Sequence, residues 1–338
     1  MASLRDLGEI EAVRRLIAER GAASGVALGP GDDAALLEPT AALALVATTD
    51  TFVEGTHYLP AWSEPARVGA RLAAANLSDL AAMAARPRWA LLAIGARPDS
   101  TIDSVVQLQH GLASALARHG AGIAGGNLTA VEGAEWFTLT LLGEVEAGRA
   151  WRRSGARPGD KVAITGYPGR AGAGLELSRT LGADAKAPAW RALLDAWLAP
   201  VARVPLALDL ARTGAVRAAI DVSDGLAGDL ARVCGASGVG ATLSAAAWPR
   251  DADLERASIA LGQDLDTLRL GPSDDYELLL AIDPARRAAA EEVARGHGVP
   301  LATIGRFTSE RGALQIESET GARPIGARGY DPFERGSG

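Results

Sequence analysis

A chain of 338 residues is long enough for about two domains and a sizeable core. Its net charge of −7, with no run of Lys or Arg, argues against a nucleic-acid groove, and its single cysteine, Cys234, excludes an intrachain disulfide and a cysteine-based zinc site. The longest apolar stretches, ALALVA and WALLAIGA, fall far short of the roughly 20 residues that span a bilayer, so no membrane association is expected.

The N-terminus MASLRDLGEIEAVRRLIAER is charged rather than signal-like, which makes a cytoplasmic location the expectation. Ile10, Val13, Leu16 and Ile17 recur in it at helical spacing. A Gly-rich turn, ALGPGDDAALL, leads into a strand over Leu43–Thr48 that runs up to Asp50. Ser63 and Pro65 read as N-cap and early helical proline of an Ala-rich helix through about Met83. That helix presents Asn76 and Asp79 at i, i+3, on one face. Strands at about 89–95 and 136–145 bracket a helix at about 101–119 and the short run AGIAGGN, so the first half, residues 1–150, alternates strand and helix.

WRRSGARPGD reads as a boundary loop, opening a second domain over 151–338. A strand Lys161–Thr165 is followed by Gly-rich GYPGRAGAG and by helices at about 171–181, 188–197 and 204–213. The strand Ala218–Val222 runs into DVSDG and a helix capped by Ser223 or Asp224. YELLLAI, a helix at about 284–296 and strands near 301–306 and 313–316 complete an α+β second half. Cys234, inside LARVCGASGVG, reads as a small core residue.

Acids recur where apolar runs give way to Gly, Ser or Thr: GDDAA, TTD, NLSD, DVSDG and SDDYE. Each alone is an ordinary cap or turn residue. Taken together, GDD, DVSD and SDD place like charges side by side with no Lys or Arg between them, and their repulsion rises from ~1 kcal/mol in water to ~4 kcal/mol near a protein surface at about 4 Å. Mg²⁺, which takes one or two carboxylates and completes its shell with water and phosphate, is the natural counterion. A Walker loop is excluded, because the only lysines, Lys161 and Lys186, precede Val162 and Ala187. The glycines of GPGDD and AGGN can bring backbone amides close to phosphate, and Arg153 offers a bidentate fork, although a solvated boundary arginine accounts for it almost equally well.

In order and spacing, GDDAALL, TTDTFVEGTHY, NLSDLAAMAA, AGGN, RSGARPGD, DVSDGLAGDL, DYELL and GYDPF closely resemble the thiamine-monophosphate kinases, from about Gly31 to Phe333. These belong to the superfamily of aminoimidazole-ribonucleotide synthetase. The resemblance implies a two-domain α+β protein, an N-terminal ATP/metal-binding and dimerisation domain and a C-terminal domain completing the phosphate and substrate site. It implies a homodimer through N-terminal sheets, with ATP as co-substrate, several Mg²⁺ ions, and direct transfer of the γ-phosphate to thiamine monophosphate. Position by position it makes Asp32, Thr48, Thr49, Asp50, Asp79, Asn127, Asp221 and Asp224 metal ligands, with Asp50 and Asp224 catalytically the most consequential. Gly126, Asn127, Arg153 and Ser223 become ATP contacts, His57, Asp274 and Tyr330 substrate contacts, and Asp33 and Asp275 supporting groups or further ligands.

Two positions depart from the family pattern. Asn127 replaces the Asp of the usual GGD, and Pro272-Ser273-Asp274 stands where the family has Gly-Gly-Glu. Two other functions remain compatible with these residues: an ATP-dependent synthetase of the same superfamily, and a noncatalytic nucleotide-binding paralogue in which Asn127 marks a lost metal.

Overall fold

The computed structural model describes residues 2–30, 34–327, 329 and 330. Asp32 and Asp33, and the DPF of GYDPF, lie outside the described residues. The chain forms two compact units, one of Met1–Leu80 with Ala84–Ala150 and one of Ala81–Met83 with Trp151–Gly338.

The N-terminal unit opens with helices α1 (Leu4–Leu7) and α2 (Glu9–Ala18) and the short strands β1 (Val26–Leu28) and β2 (Leu36–Leu37). It continues with β3 (Leu43–Val53), α3 (Pro65–Ala82), β4 (Arg86–Ala96), α4 (Ile102–Ala117), β5 (Gly122–Ala130) and β6 (Trp136–Glu146). The four long strands order as β3-β6-β4-β5, with β4 and β5 parallel and the other pairs antiparallel. Two boundaries differ from the sequence-based expectation for one reason: β-branched and pleat-compatible residues extend the ladder. Thr49, Thr51 and Val53 carry β3 past Asp50, and pairing to β4 turns the Gly-rich AGGN run into strand. Glu64, not Ser63, is the N-cap of α3, because its carbonyl accepts the Val68 amide and Pro65 takes the first helical position.

Helices α3 and α4 meet backbone to backbone. A β carbon at Gly69 would lie 1.9 Å from the Leu108 carbonyl oxygen, and one at Gly111 would lie 1.9 Å from that of Ala66. Glycine is otherwise a poor helix residue, so its presence in both helices reflects this contact.

The C-terminal unit contains β7 (Lys161–Thr165), α5 (Arg170–Leu181), α6 (Arg191–Leu198), α7 (Val204–Thr213), β8 (Val216–Val222), α8 (Leu226–Ser237) and β9 (Gly240–Ser244). It closes with α9 (Ala252–Leu261), α10 (Leu265–Leu270), β10 (Glu277–Ile282), α11 (Arg287–Gly296), β11 (Leu301–Thr308), β12 (Leu314–Ser318) and β13 (Gly321–Pro324). Its seven-stranded sheet, β13-β12-β9-β11-β7-β10-β8, is antiparallel except between β12 and β9. ELLLAI lies between β7 and β8 with every residue buried, as a continuous apolar run requires. Leu226, Leu230, Val233 and Cys234 of α8 join Val162, Ile220, Leu279 and Phe307 of the sheet in one core, where burial pushes the Cys234 thiol up to about 12. Strand β9 and helices α9 and α10 have no counterpart in the sequence-based expectation. Among the described residues no helix is long and apolar enough to cross a membrane.

Gly111→Ala tests the helix contact. Although Ala favours a helix by ~1 kcal/mol over Gly, the added methyl group meets backbone, and overpacking of this kind costs about 1–3 kcal/mol. Urea unfolding is expected to show a lower midpoint; a raised midpoint would mean the helices part without cost.

Candidate active site

In the N-terminal unit the pleat of β3 sorts its acid and hydroxyls. Side chains alternate across a strand, so Thr48 and Asp50 share the face covered by α3, where the Thr48 hydroxyl donates to Asp79 Oδ2. Asp50 is pushed up to about 7 by burial first and by the charge of Asp79 second. Among the described residues none of its ion pairs is to an Arg or Lys side chain. Thr49 lies on the opposite face, its hydroxyl donating to the Leu139 carbonyl at 3.2 Å and meeting Thr140 Oγ1 at 3.2 Å. A Thr49 side-chain ligand beside Asp50 is therefore excluded by strand geometry, leaving only its main chain for that face.

Asn127 also sits away from Asp50. It pairs with Ala93, Ala93 with Thr138, and Thr138 with Thr51, which puts Asn127 in the row of the uncovered face. One cation held by the side chains of both Asp50 and Asn127 does not fit this sheet. Asn127 lines instead a cavity of about 720 Å³ with Gly125, Gly126, Thr138 and Thr140. Pro30 and Ala34, which flank the GDD segment, line it too, as do apolar side chains Val13, Leu16, Ile17, Leu37 and Leu91. Several lining polar groups escaped the sequence analysis, Arg20 and Gln109 among them. Arg20 has its guanidinium 2.9 Å from where a β carbon on Gly29 would stand, and Gln109 donates to the Leu16 carbonyl at 2.6 Å. Helical spacing from Ile10 to Ile17 pointed to α2, but not to its lining a cavity with Pro30 and Ala34.

His57 follows β3 in an exposed turn. Its Nδ1 accepts the Val53 amide at 3.1 Å, its ring stacks on Phe52 with centroids 5.5 Å apart, and its carbonyl accepts from Arg71 at 2.9 Å. With Nδ1 an acceptor, the uncharged ring carries its proton on Nε2.

In the C-terminal unit the DVSDG turn organises the site. Gly225, with φ +115°, is the N-cap of α8, and neither Ser223 nor Asp224 caps it with a side chain. The buried Asp229 reaches back from inside the helix to the turn before it, accepting from the amides of Ser223 at 3.2 Å and Asp224 at 3.3 Å. Its pKa is raised by burial despite an ion pair to Arg232, which also holds the half-buried Asp224 at 2.6 Å. The signal for Asp229 and Arg232 was their i, i+3 spacing in GDLAR. Asp221 is buried in β8. Tyr330, itself exposed, donates its amide to the Asp224 carbonyl at 2.9 Å, which ties its backbone to this turn. Arg153 is exposed beside α8, where its carbonyl accepts from Ser237 at 3.1 Å.

Against the same turn packs the 271–276 segment. A β carbon on Gly225 would lie 2.3 Å from the Gly271 carbonyl oxygen, and Tyr276, forced to φ +52°, donates to Val222 at 2.8 Å. Asp274 is half-buried between Ser273 and Asp275. Asp275 supports the fold: its two oxygens accept from the amides of Gly169 at 2.6 Å and Ala171 at 2.8 Å, at the start of α5. Its neighbour Glu277 is paired with Arg203 and accepts from Thr165 at 2.5 Å.

Do these groups suit Mg²⁺? Thr48, Asp50 and Asp79 in one unit and Asp221 and Asp224 in the other are hard oxygen donors, one or two carboxylates per group, which suits an ion that keeps water and phosphate in its shell. Among the described residues no three His, Cys, Asp or Glu side chains form a group that could hold a metal ion by themselves.

Residues 31–145 match the model of AIR synthase related protein, N-terminal domain, and 157–317 that of the C-terminal domain. The chain is 37% identical to the thiamine-monophosphate kinase of Escherichia coli K12 over 316 residues, covering 91% of this chain and 92% of that one. The crystal structure of thiamine-monophosphate kinase from Stenotrophomonas maltophilia K279a superposes with TM-score 0.81 at 33% identity, covering 93% of this chain and 98% of that one. AaThiL complexed with AMPPCP and TMP superposes with TM-score 0.76 at 26% identity, covering 98% and 99%.

Burial pushes Asp275 up to about 7 against the pull of its amide partners and Ser273, with Glu277 pushing the same way as burial. A carboxyl whose folded value lies above its ordinary 3.8 holds its proton more tightly native than unfolded. Its contribution to stability is full below about pH 4 and is lost as pH rises through about 7. Asp275→Asn is expected to lose less unfolding free energy between those limits than the native chain in denaturant titrations. Parallel curves would mean that Asp275 is ionised throughout.

Proposed function

The chain belongs to the AIR synthase related family, among its thiamine-monophosphate kinases, and from that membership we propose that it uses ATP to phosphorylate thiamine monophosphate to thiamine diphosphate. A phosphate oxygen of thiamine monophosphate forms a bond to the γ-phosphorus of ATP, the bond from that phosphorus to the bridging oxygen breaks, and ADP leaves with the bonding electrons. The acceptor is already an anion at neutral pH and needs no strong general base, which suits a chain with four histidines, only one of them in a site motif. The obstacle is electrostatic: two phosphate anions must meet.

The observation that carries this chemistry is Asp50, a carboxyl withdrawn from water beside Asp79 with no arginine or lysine partner among the described residues. Thr48, Asp50 and Asp79 in the N-terminal unit and Asp221 and Asp224 in the C-terminal unit are the residues that would hold Mg²⁺ there. The bound ions would supply charge neutralisation for the transferring phosphoryl group. The chain's own part is positioning. The apolar wall of Val13, Leu16, Ile17 and Leu37 suits a nucleotide base, with Gly125 and Gly126 lining the same cavity. Asn127 joins that cavity as a neutral oxygen and amide donor, so its role is to orient ATP rather than to share an ion with Asp50. Ser223 and Arg153 are assigned to ATP, and His57, Asp274 and Tyr330 to thiamine monophosphate. With ATP and a phosphorylated vitamin as substrates, the enzyme works in the cytoplasm.

A homodimer forms through the uncovered face of the N-terminal sheet. Leu45, 53% exposed, and Leu91, 38% exposed, lie there beside the hydroxyl pairs Thr49–Thr140 and Thr51–Thr138, a small-residue surface suited to a second copy. Light scattering is expected to give twice the 34.6 kDa chain mass, and a monomer with full activity would remove the assignment.

Incubation with ATP, Mg²⁺ and thiamine monophosphate, followed by chromatography, should yield thiamine diphosphate and ADP, and excess EDTA should abolish the product. ATP consumed to ADP and inorganic phosphate with no thiamine diphosphate would point to a synthetase instead. Asp224→Asn should melt nearly as the native chain does, because a half-exposed ion pair contributes little and the carboxylate caps no helix. Its kcat should fall at least ~10²-fold, the scale of losing one preorganised electrostatic group.

A further inference from the structure

The start of α5 has the features of an anion site, with amides of a 12-residue helix opening on glycine and a φ of +91° at Gly169. It is already filled from within. Asp275 accepts from Gly169 at 2.6 Å and Ala171 at 2.8 Å, and the hydroxyl of Ser273 accepts from Gly172 at 2.9 Å. Three amides that a helix leaves unsatisfied are thus taken up by side chains of one segment, 271–276. A β carbon on Gly172 would lie 2.6 Å from the Pro272 carbonyl oxygen, so the helix also touches the main chain of that segment. At its far end the segment is pinned by the Tyr276 amide on Val222 and by Glu277 on Arg203. Asp274 lies between the two tethered side chains, half-buried.

Ser273 and Pro272 stand where the family motif has two glycines. Glycine has no side chain to reach Gly172 and the widest backbone freedom, whereas Pro272 fixes its own φ and Ser273 adds a hydrogen bond. We infer that Ser273 and Asp275 are positioning residues, a latch that holds the 271–276 segment on α5 and thereby sets how tightly Asp274 holds the thiamine end of the acceptor. A shorter acid at 274 than the family's Glu has less reach, and a stiffer segment offsets that by presenting it in one place. The coupling to substrate rests on the kinase reading and its assignment of Asp274; the latch itself does not.

Ser273→Gly restores the family residue, and Ser273→Ala keeps the β carbon but removes the acceptor. Both keep Asp275 and are the variants of choice, because Asp275→Ala leaves two helix amides unpaired in the core and risks the fold. Amide hydrogen exchange in the full-length protein is expected to quicken at Gly172 in both, by about 3- to 10-fold, the worth of one hydrogen bond. Steady-state kinetics should show KM for thiamine monophosphate raised by a similar ~3- to 10-fold factor, with KM for ATP unchanged and kcat near that of the unsubstituted chain. Unchanged exchange at Gly172 overturns the latch, whether or not the protein turns over. Faster exchange with an unmoved KM overturns the coupling to the acceptor. Absence of any thiamine diphosphate from the unsubstituted protein defeats the kinase reading and with it the coupling, while the exchange result still decides the latch.

Discussion

A carboxylate taken out of water needs a counter-charge, and most of this structure follows from where that charge is found. Asp229 has Arg232 and two amides, Glu277 has Arg203, Asp251 has Arg170, Asp160 has Arg217, and Glu144 has Arg88. Asp275 has the first turn of a helix. Asp50 has neither kind of partner among the described residues: the charge acting on it is that of another acid, Asp79, and its carboxyl is pushed up to about 7. Acids matched by arginine or by amides hold the scaffold, whereas a carboxyl that faces a like charge without such a partner is a place for a ligand.

Within the C-terminal unit the same division is made inside single motifs. DVSDGLAGDL carries three acids, and they do different things. Asp229 is spent on the amides of Ser223 and Asp224, which shapes the turn and leaves the Asp224 carboxylate free of capping duty and within reach of Arg232. In SDDYE, Asp275 is bound to the start of α5 and Glu277 to Arg203, and Asp274 lies between them, half-buried. Each motif supports one reactive group with others of the same type, which explains why acids appear in runs although few of them touch a substrate.

The N-terminal unit makes the division by pleat. A two-residue period sends Thr48 and Asp50 to the helix-covered face and Thr49 to the other, and pairing across four strands sends Asn127 with Thr49. The side chains of residues adjacent in sequence therefore cannot share one ion from the middle of a strand. The two faces divide the labour: a half-buried acid pair on one, and on the other a cavity and a surface suited to a second copy of the chain.

Sequence alone determined the α+β class, most helices and strands, the absence of a Walker lysine and the family, because these depend on local periodicity, residue type and motif order. It also located the acids. Which acid does what was decided only by tertiary structure, since that depends on groups distant in the chain: Asp275 on Gly169 and Ala171, Glu277 on Arg203, Asp79 on Thr48. Arg20 and Gln109 were invisible as cavity residues for the same reason, their motifs being ordinary helix until the sheet edge is built beside them. The motif for Asp224 was legible, but its freedom from capping was not, because a cap is chosen by backbone geometry at Gly225 and by a competing acid one helical turn away.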